Sequence, residues 1–201
     1  MTDDASSRQR LGSRRGLIGD VYEPAEDSAL LANAVLDEIR SDSVVLDVGT
    51  GSGYIGKQIV ETTGASVIGI DVNPYACKQA ADTGLPVVRS DLTTGIQPNA
   101  ADVIVCNPPY LPTEADPAAD DWLERAIAGG TTGRYIVNRL FADVDRVLAP
   151  TGSLFLLMSS LQDIDAVVER ASNAGFRGIE IDRDDSFPFE VLVVYRFSRR
   201  N

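Results

Sequence analysis

Apolar positions along the chain switch between helical spacing and short continuous runs. From Ala25 to Ile39, Leu30, Leu31, Ala34, Val35 and Ile39 recur at the helical period, and Pro24 with Glu26 and Asp27 suits a helix start. Val44-Val45-Leu46 then reads as a buried strand and Ile55–Thr62 as a helix. The alternation continues: Val67–Ile70 is a strand, Pro74–Asp82 a helix opened by proline, Val87-Val88 a short strand and Asp102–Cys106 a strand. Arg134–Leu148 carries Ile136, Val137, Leu140, Phe141, Val144, Val147 and Leu148 at helical spacing. Ser153–Met158 follows as a strand and Ile164–Ala174 as a helix. Ile179–Ile181 and Val191–Phe197 come last with no clear helix between them, which predicts a hairpin. Strands alternating with helices predict an α/β fold, a doubly wound, Rossmann-like, mostly parallel sheet of seven strands.

Two segments break the pattern. Residues 1–19 are polar, with Arg8, Arg10, Arg14 and Arg15 close together. They are expected to be a flexible tail, the alternative being a basic arm for an anionic partner. Residues 20–201 then form a single domain. Residues 111–133 hold Glu114, Asp116, Asp120, Asp121 and Glu124 and read as an acidic insertion. It is either a solvated loop or a lid for substrate, with Trp122 as its anchor to the core.

Composition narrows the chemistry. The 201-residue chain has a net charge of −12 and a pI near 4.4, and only Lys57 and Lys78 among its 18 basic residues are lysine. Hydrated carboxylates on a lysine-poor surface suit work in concentrated salt, so a halophilic source is expected. The same charge argues against a broad nucleic-acid footprint. With no histidine, His metal sites, Ser-His-Asp triads and imidazole bases are excluded. Cys77 and Cys106 form no CxxC pair, and no metal site is expected. No apolar run has membrane length, and the expected location is the cytoplasm.

Candidate chemistry gathers at the strand ends. Asp47-Val48-Gly49-Thr50-Gly51-Ser52-Gly53 lies between a strand and a helix, where glycines let the backbone approach a ligand. It lacks the Gly-Lys-Ser/Thr of a P-loop, and its G-x-G-x-G spacing is not the dinucleotide G-x-G-x-x-G; a plain tight turn also fits. Asp47 at this strand end would attract a cation. Asp71 ends the next strand, where an acid accepts from ribose hydroxyls. Asp91 follows Val87-Val88 and could accept from an adenine amino group while Leu92 packs on the ring. The ligand these acids describe is a cationic adenosine, S-adenosylmethionine. Finally, Asn107-Pro108-Pro109-Tyr110 closes the run Val103–Cys106. Two prolines hold one turn shape and keep Asn107 extended, which suits gripping a planar amino group. Asn107 Oδ1 and the Pro108 carbonyl can accept its two N–H groups, and Tyr110 could stack on its plane.

The motif order resembles the class I S-adenosylmethionine-dependent methyltransferases. Within them it is similar to the HemK-like glutamine methyltransferases of release factors, archaeal/eukaryotic branch. Val21–Ser28, Asp47–Gly53, Asp71, Asp91-Leu92, Asn107–Thr113 and Ala128-Gly129-Gly130…Gly133-Arg134 carry the resemblance. It implies cofactor contacts at Ser28, Asp47, Gly49, Gly51, Asp71, Asp91, Leu92 and Asn107. It implies catalysis by Asn107, Pro108 and Tyr110, and substrate binding by those three with Pro109. The expected reaction is N5-methylation of a glutamine in a Gly-Gly-Gln context of a release factor. Adenine-N6 methylation of RNA or DNA and protein lysine methylation are the alternatives. The third strand lies at a sheet edge in this architecture, and Leu85, Pro86, Val87 and Val88 carry no charge to blunt it. Strand addition by a partner chain is expected there, and the resemblance implies a small zinc-binding activator, giving a heterodimer.

Overall fold

A computed structural model describes residues 17–18, 21–114 and 122–200 of the chain. Its elements, in order, are β1 (Leu17–Ile18), β2 (Val21–Tyr22), α1 (Glu26–Leu36), β3 (Val44–Val48), α2 (Tyr54–Thr63), β4 (Ser66–Asp71), α3 (Pro74–Asp82), β5 (Val87–Arg89) and β6 (Ala101–Cys106). Then come α4 (Trp122–Ile127), α5 (Tyr135–Val147), β7 (Leu148–Ser159), a 3-10 turn (Ser160–Gln162), α6 (Ile164–Asn173), β8 (Phe176–Asp184) and β9 (Leu192–Arg199).

Seven strands form one sheet in the order β5-β4-β3-β6-β7-β9-β8. The first five in that order run parallel, while β9 is antiparallel to both β7 and β8. The expected doubly wound sheet and terminal hairpin are both present, and among the described residues β5 is an edge strand paired only with β4.

Alternation along the central strands sorts side chains to two faces. Val45, Val103, Val105, Phe155 and Leu157 pack with Leu31, Val35 and Ile59 of α1 and α2. Leu46, Val48, Ile104, Cys106 and Leu156 pack with Leu140, Phe141 and Val144 of α5 and Val167 of α6. Helices therefore cover both faces, and the loops at the carboxyl ends of β3, β4, β5 and β6 meet at one rim. Local chemistry sets the boundaries: α2 lies between Gly53 (φ +84°) and Gly64 (φ +73°), both left-handed. Before α3, the Asn73 side chain accepts from the Tyr75 amide at 2.9 Å and Pro74 opens the helix.

Three stretches differ from expectation. The helix predicted to Ile39 stops at Leu36, because the chain turns at Arg40–Ser43 while Ile39 still reaches the core. Leu17–Ile18, predicted as tail, pair antiparallel with Val21–Tyr22; residues 1–16 and 19–20 lie outside the described part. The 111–133 segment contains α4 and folds back on itself: Leu111 bridges Ala128, the Gly129 amide donates to the Leu111 carbonyl at 2.9 Å, and the Thr113 amide donates to that of Gly130 at 3.0 Å. Asp116, Asp120 and Asp121 fall outside the described residues. Among the described residues, no helix is long and apolar enough to cross a membrane.

Candidate active site

A cavity opens at the rim, lined by the glycine loop, the ends of β4 and β6, Asp91-Leu92, β2, Ser28 and α4. The loop after β3 is held from both sides. Asp71 Oδ2 accepts from the Gly51 amide at 3.0 Å, and Asp71 Oδ1 accepts from the Asn73 amide at 2.9 Å. Burial pushes the Asp71 carboxyl above the usual carboxylate range. Asp71 lines the cavity.

Asp47 takes a different position from the one its motif suggested. It does not line the cavity; it is 1% exposed, and its Oδ2 accepts from Thr50 Oγ1 at 2.6 Å and from the Gly56 amide at 3.1 Å. The reason is the two-residue period: Asp47 shares the face of Val45, under the first turn of α2, while its neighbours Leu46 and Val48 face α5. Among the described residues, nothing hydrogen-bonds to the buried Asp47 Oδ1. Burial raises this carboxyl to about 6, against the lowering pull of the Thr50 and Gly56 bonds, with the Asp71 charge adding to the rise. Asp47 acts as a brace beneath the loop.

Asp91 and Leu92 line the adjacent part of the cavity, with Leu92 in the left-handed region at φ +51°. A leucine there is strained, a cost of about 1 kcal/mol that the surroundings must hold in place. Arg139 of α5, unremarked in the sequence, donates from Nη2 to Asp91 Oδ2 at 2.7 Å and also lines the cavity.

Asn107, Pro108 and Pro109 line the rim beyond β6. Asn107 Nδ2 donates to Ser28 Oγ at 3.4 Å, which ties the strand end to the start of α1. Beneath this contact is Asp27, 6% exposed, which accepts from the Ser28 amide at 2.6 Å, Ser28 Oγ at 3.2 Å, Tyr22 OH at 2.9 Å and Tyr110 OH at 3.4 Å. Tyr110 departs from the sequence expectation: it is absent from the cavity lining, and its ring is buried in the core with Leu31, Val105 and Leu157. It supports the turn from below instead of stacking on a substrate. Asp27 read only as a helix-start acid in the sequence, since its partners are 5 and 83 residues away.

α4 contributes Trp122 and Arg125, three residues apart on one helix face. The Arg125 guanidinium lies 4.6 Å from the Trp122 ring centroid, and its charge offsets part of the rise at Asp71. Trp122 thus faces the cavity. Cys106 also lines the cavity; the residue is 2% exposed, and burial, then the charges of Asp47 and Asp71, push its ionisation well upward. Of the residues singled out from sequence, Ser28, Gly49, Gly51, Asp71, Asp91, Leu92, Asn107, Pro108 and Pro109 share one cavity, and Asp47 and Tyr110 stand behind it.

The methyltransferase small domain family matches residues 25–177. The chain is 35% identical over 189 residues to a Methanocaldococcus jannaschii protein whose provisional name is protein N5-glutamine methyltransferase, covering 91% of this chain and 94% of that one. It is 30% identical over 178 residues to the Homo sapiens methyltransferase HEMK2, with 82% and 83% covered. A solved structure, that of the E. cuniculi Mtq2–Trm112 complex responsible for methylation of the eRF1 translation termination factor, matches with a TM-score of 0.74 at 29% identity over 90% of this chain and 100% of that one. The chain belongs to the methyltransferase small domain family, in its HemK-like group.

Proposed function

We propose that this protein methylates the side-chain nitrogen of a glutamine, in a Gly-Gly-Gln context, of a translation release factor, using S-adenosylmethionine. The observation that carries the reading is the Asn107-Pro108-Pro109 turn on the cavity rim, with Asn107 Nδ2 bound to Ser28 and no hydrogen bond to Oδ1 among the described residues. Asn107 Oδ1 and the Pro108 carbonyl accept the two N–H groups of the incoming amide. They hold its plane and stabilise the positive charge that grows on nitrogen.

The cavity fits the cofactor by its chemistry. The negative charges of Asp47 and Asp71, with the orphaned Asp47 Oδ1, suit a cation; Asp71 suits a diol, and Asp91 beside Leu92 suits an aminopurine. When bound, S-adenosylmethionine supplies an electrophilic methyl group. Ser28, Gly49, Gly51, Asp71, Asp91, Leu92 and Asn107 would hold it, while β2 and α4 line the approach.

The same reading includes a partner. The relative of known structure is described with Trm112, and the free edge at β5 is short and apolar, with Val88 exposed. A small zinc-binding activator adding a strand there would give a cytoplasmic heterodimer. The acidic, lysine-poor composition supports work at high salt in a halophilic archaeon.

The test is to incubate the protein and activator with labelled S-adenosylmethionine and separate pools of release factor and rRNA. Label on the Gly-Gly-Gln glutamine, located by fragmentation, supports the reading. Label only in RNA, or only on lysine, overturns it.

A further inference from the structure

The amide clamp needs Asn107 to face one way. A carboxamide presents an acceptor on one side and a donor on the other, with little difference in shape. If Asn107 turned over, its NH2 group would point at the substrate amide and repel the N–H groups it should accept. Proline geometry fixes the backbone of Asn107 but leaves this choice open.

The choice is made at Ser28. A hydroxyl has one proton to give and lone pairs to receive. Asp27 Oδ1 lies 3.2 Å from Ser28 Oγ and can only accept, so the hydroxyl proton is committed there. Ser28 Oγ then faces Asn107 as an acceptor, and Nδ2 donates to it at 3.4 Å. In the reverse orientation, Asn107 Oδ1 would meet an oxygen with no proton to offer. Asp27 is itself held by Tyr22 OH at 2.9 Å and by the Ser28 amide at 2.6 Å, so its carboxylate cannot swing away. It is buried, which strengthens each of these bonds.

We infer that Asp27 is a positioning residue: through the Ser28 hydroxyl it fixes the Asn107 amide with Oδ1 toward the substrate. This rests on the amide-clamp reading above. Asp27 touches no reacting atom, and its effect is on kcat.

The variants separate this from a merely structural role. Asp27→Asn keeps an acceptor for the Ser28 amide and hydroxyl and should retain most of kcat. Asp27→Ala and Ser28→Ala break the relay, and each should lower kcat by about a hundredfold, the scale of a misplaced reacting group. In the Ser28→Ala background, Asp27→Ala should cost nothing more, since both act on the same bond. Wild-type kcat in Asp27→Ala, or a second full loss in the double variant, overturns the relay. A measurement without substrate covers misfolding of Asp27→Ala. In wild-type protein labelled with 15N-asparagine, the Asn107 Nδ2 hydrogens should exchange slowly, in Asp27→Asn nearly as slowly, and in Ser28→Ala and Asp27→Ala towards the rate of a free amide. Free-amide exchange in wild type overturns the proposal. Should wild type methylate no release factor, the glutamine reading falls, and the exchange experiment alone decides the relay.

Discussion

Arg139 Nη2 meets Asp91 Oδ2 at 2.7 Å at the cavity edge, leaving Asp91 Oδ1 as the oxygen open to a ligand amino group. The pair is half-exposed, 36% and 50% by side chain, so salt screens it. Its work is to hold the carboxylate in one orientation. Arg139→Ala should weaken S-adenosylhomocysteine binding by up to about fivefold in dilute buffer. The difference should shrink at molar salt; calorimetry at the two ionic strengths checks this. Asp91→Ala should lose more, because it removes the acceptor as well.

Asp47 makes cofactor binding and stability oppose one another in pH. Its folded-state carboxyl is raised to about 6, above its unfolded value of 3.8. Its contribution to stability is therefore complete below the unfolded value and lost as pH rises through about 6. Asp47→Asn mimics the protonated form and keeps an acceptor for Thr50 and Gly56. The cofactor-free variant should melt higher than wild type at pH 8 and lose that advantage toward pH 4. It should also bind S-adenosylmethionine more weakly at pH 8, and wild-type affinity should fall as pH drops below about 6. Thermal melts and calorimetry across this range measure both.

Gly133 closes the segment behind the amide clamp. Its φ is +71°, and a Cβ there would run into the Tyr110 carbonyl oxygen and lie 2.9 Å from Gln162 Cβ. A backbone carbonyl cannot yield without moving the Pro109-Tyr110 turn. Gly133→Ala should lose about 2 kcal/mol or more of stability, from strain and collision together. Methyl transfer should fall further than cofactor affinity. Gly84→Ala is the control: φ is +92° with open space around it, so it should cost strain alone and leave turnover intact.

The free edge of β5 has a defined polarity. The Pro86 carbonyl and Ser90 amide bond to Gly69 and Asp71 of β4, so the two-residue period turns the amides of Val87 and Arg89 outward. Val87→Pro removes an outward donor while sparing the bonds to β4. Co-purification with the activator should be lost, with the melting profile of the isolated protein little changed. Retained binding would mean that the partner sits elsewhere.

Much of this was legible in the sequence because period and strand-end chemistry are local. The α3 bounds and the order of strands and helices follow from apolar spacing and proline placement, and the edge position of Val87-Val88 from the resemblance to the class I methyltransferases. What stayed hidden depends on pairs far apart in the chain. Arg139 finds Asp91 across 48 positions, and Tyr110 finds Asp27 across 83. Alternation along β3, counted from Val45, would have turned Asp47 away from the cavity, but the acid's place in a glycine motif drew attention to a ligand instead. Tyr110 differs for a related reason: an aromatic after two prolines suits a stacking platform, while its ring fills the core under α1. α4 escaped notice because its six residues are too few for a periodic signal.

Cys106 has one more consequence. An enzyme that stores an electrophilic alkyl donor places at risk any soft nucleophile of its own within reach, and sulfur is the softest a protein offers. Burial and two neighbouring acids keep this sulfur protonated, and a neutral thiol is a poor rival to the substrate. The pocket therefore shows an incoming electrophile a buried neutral thiol rather than a thiolate, chiefly through burial and secondarily through the two acids.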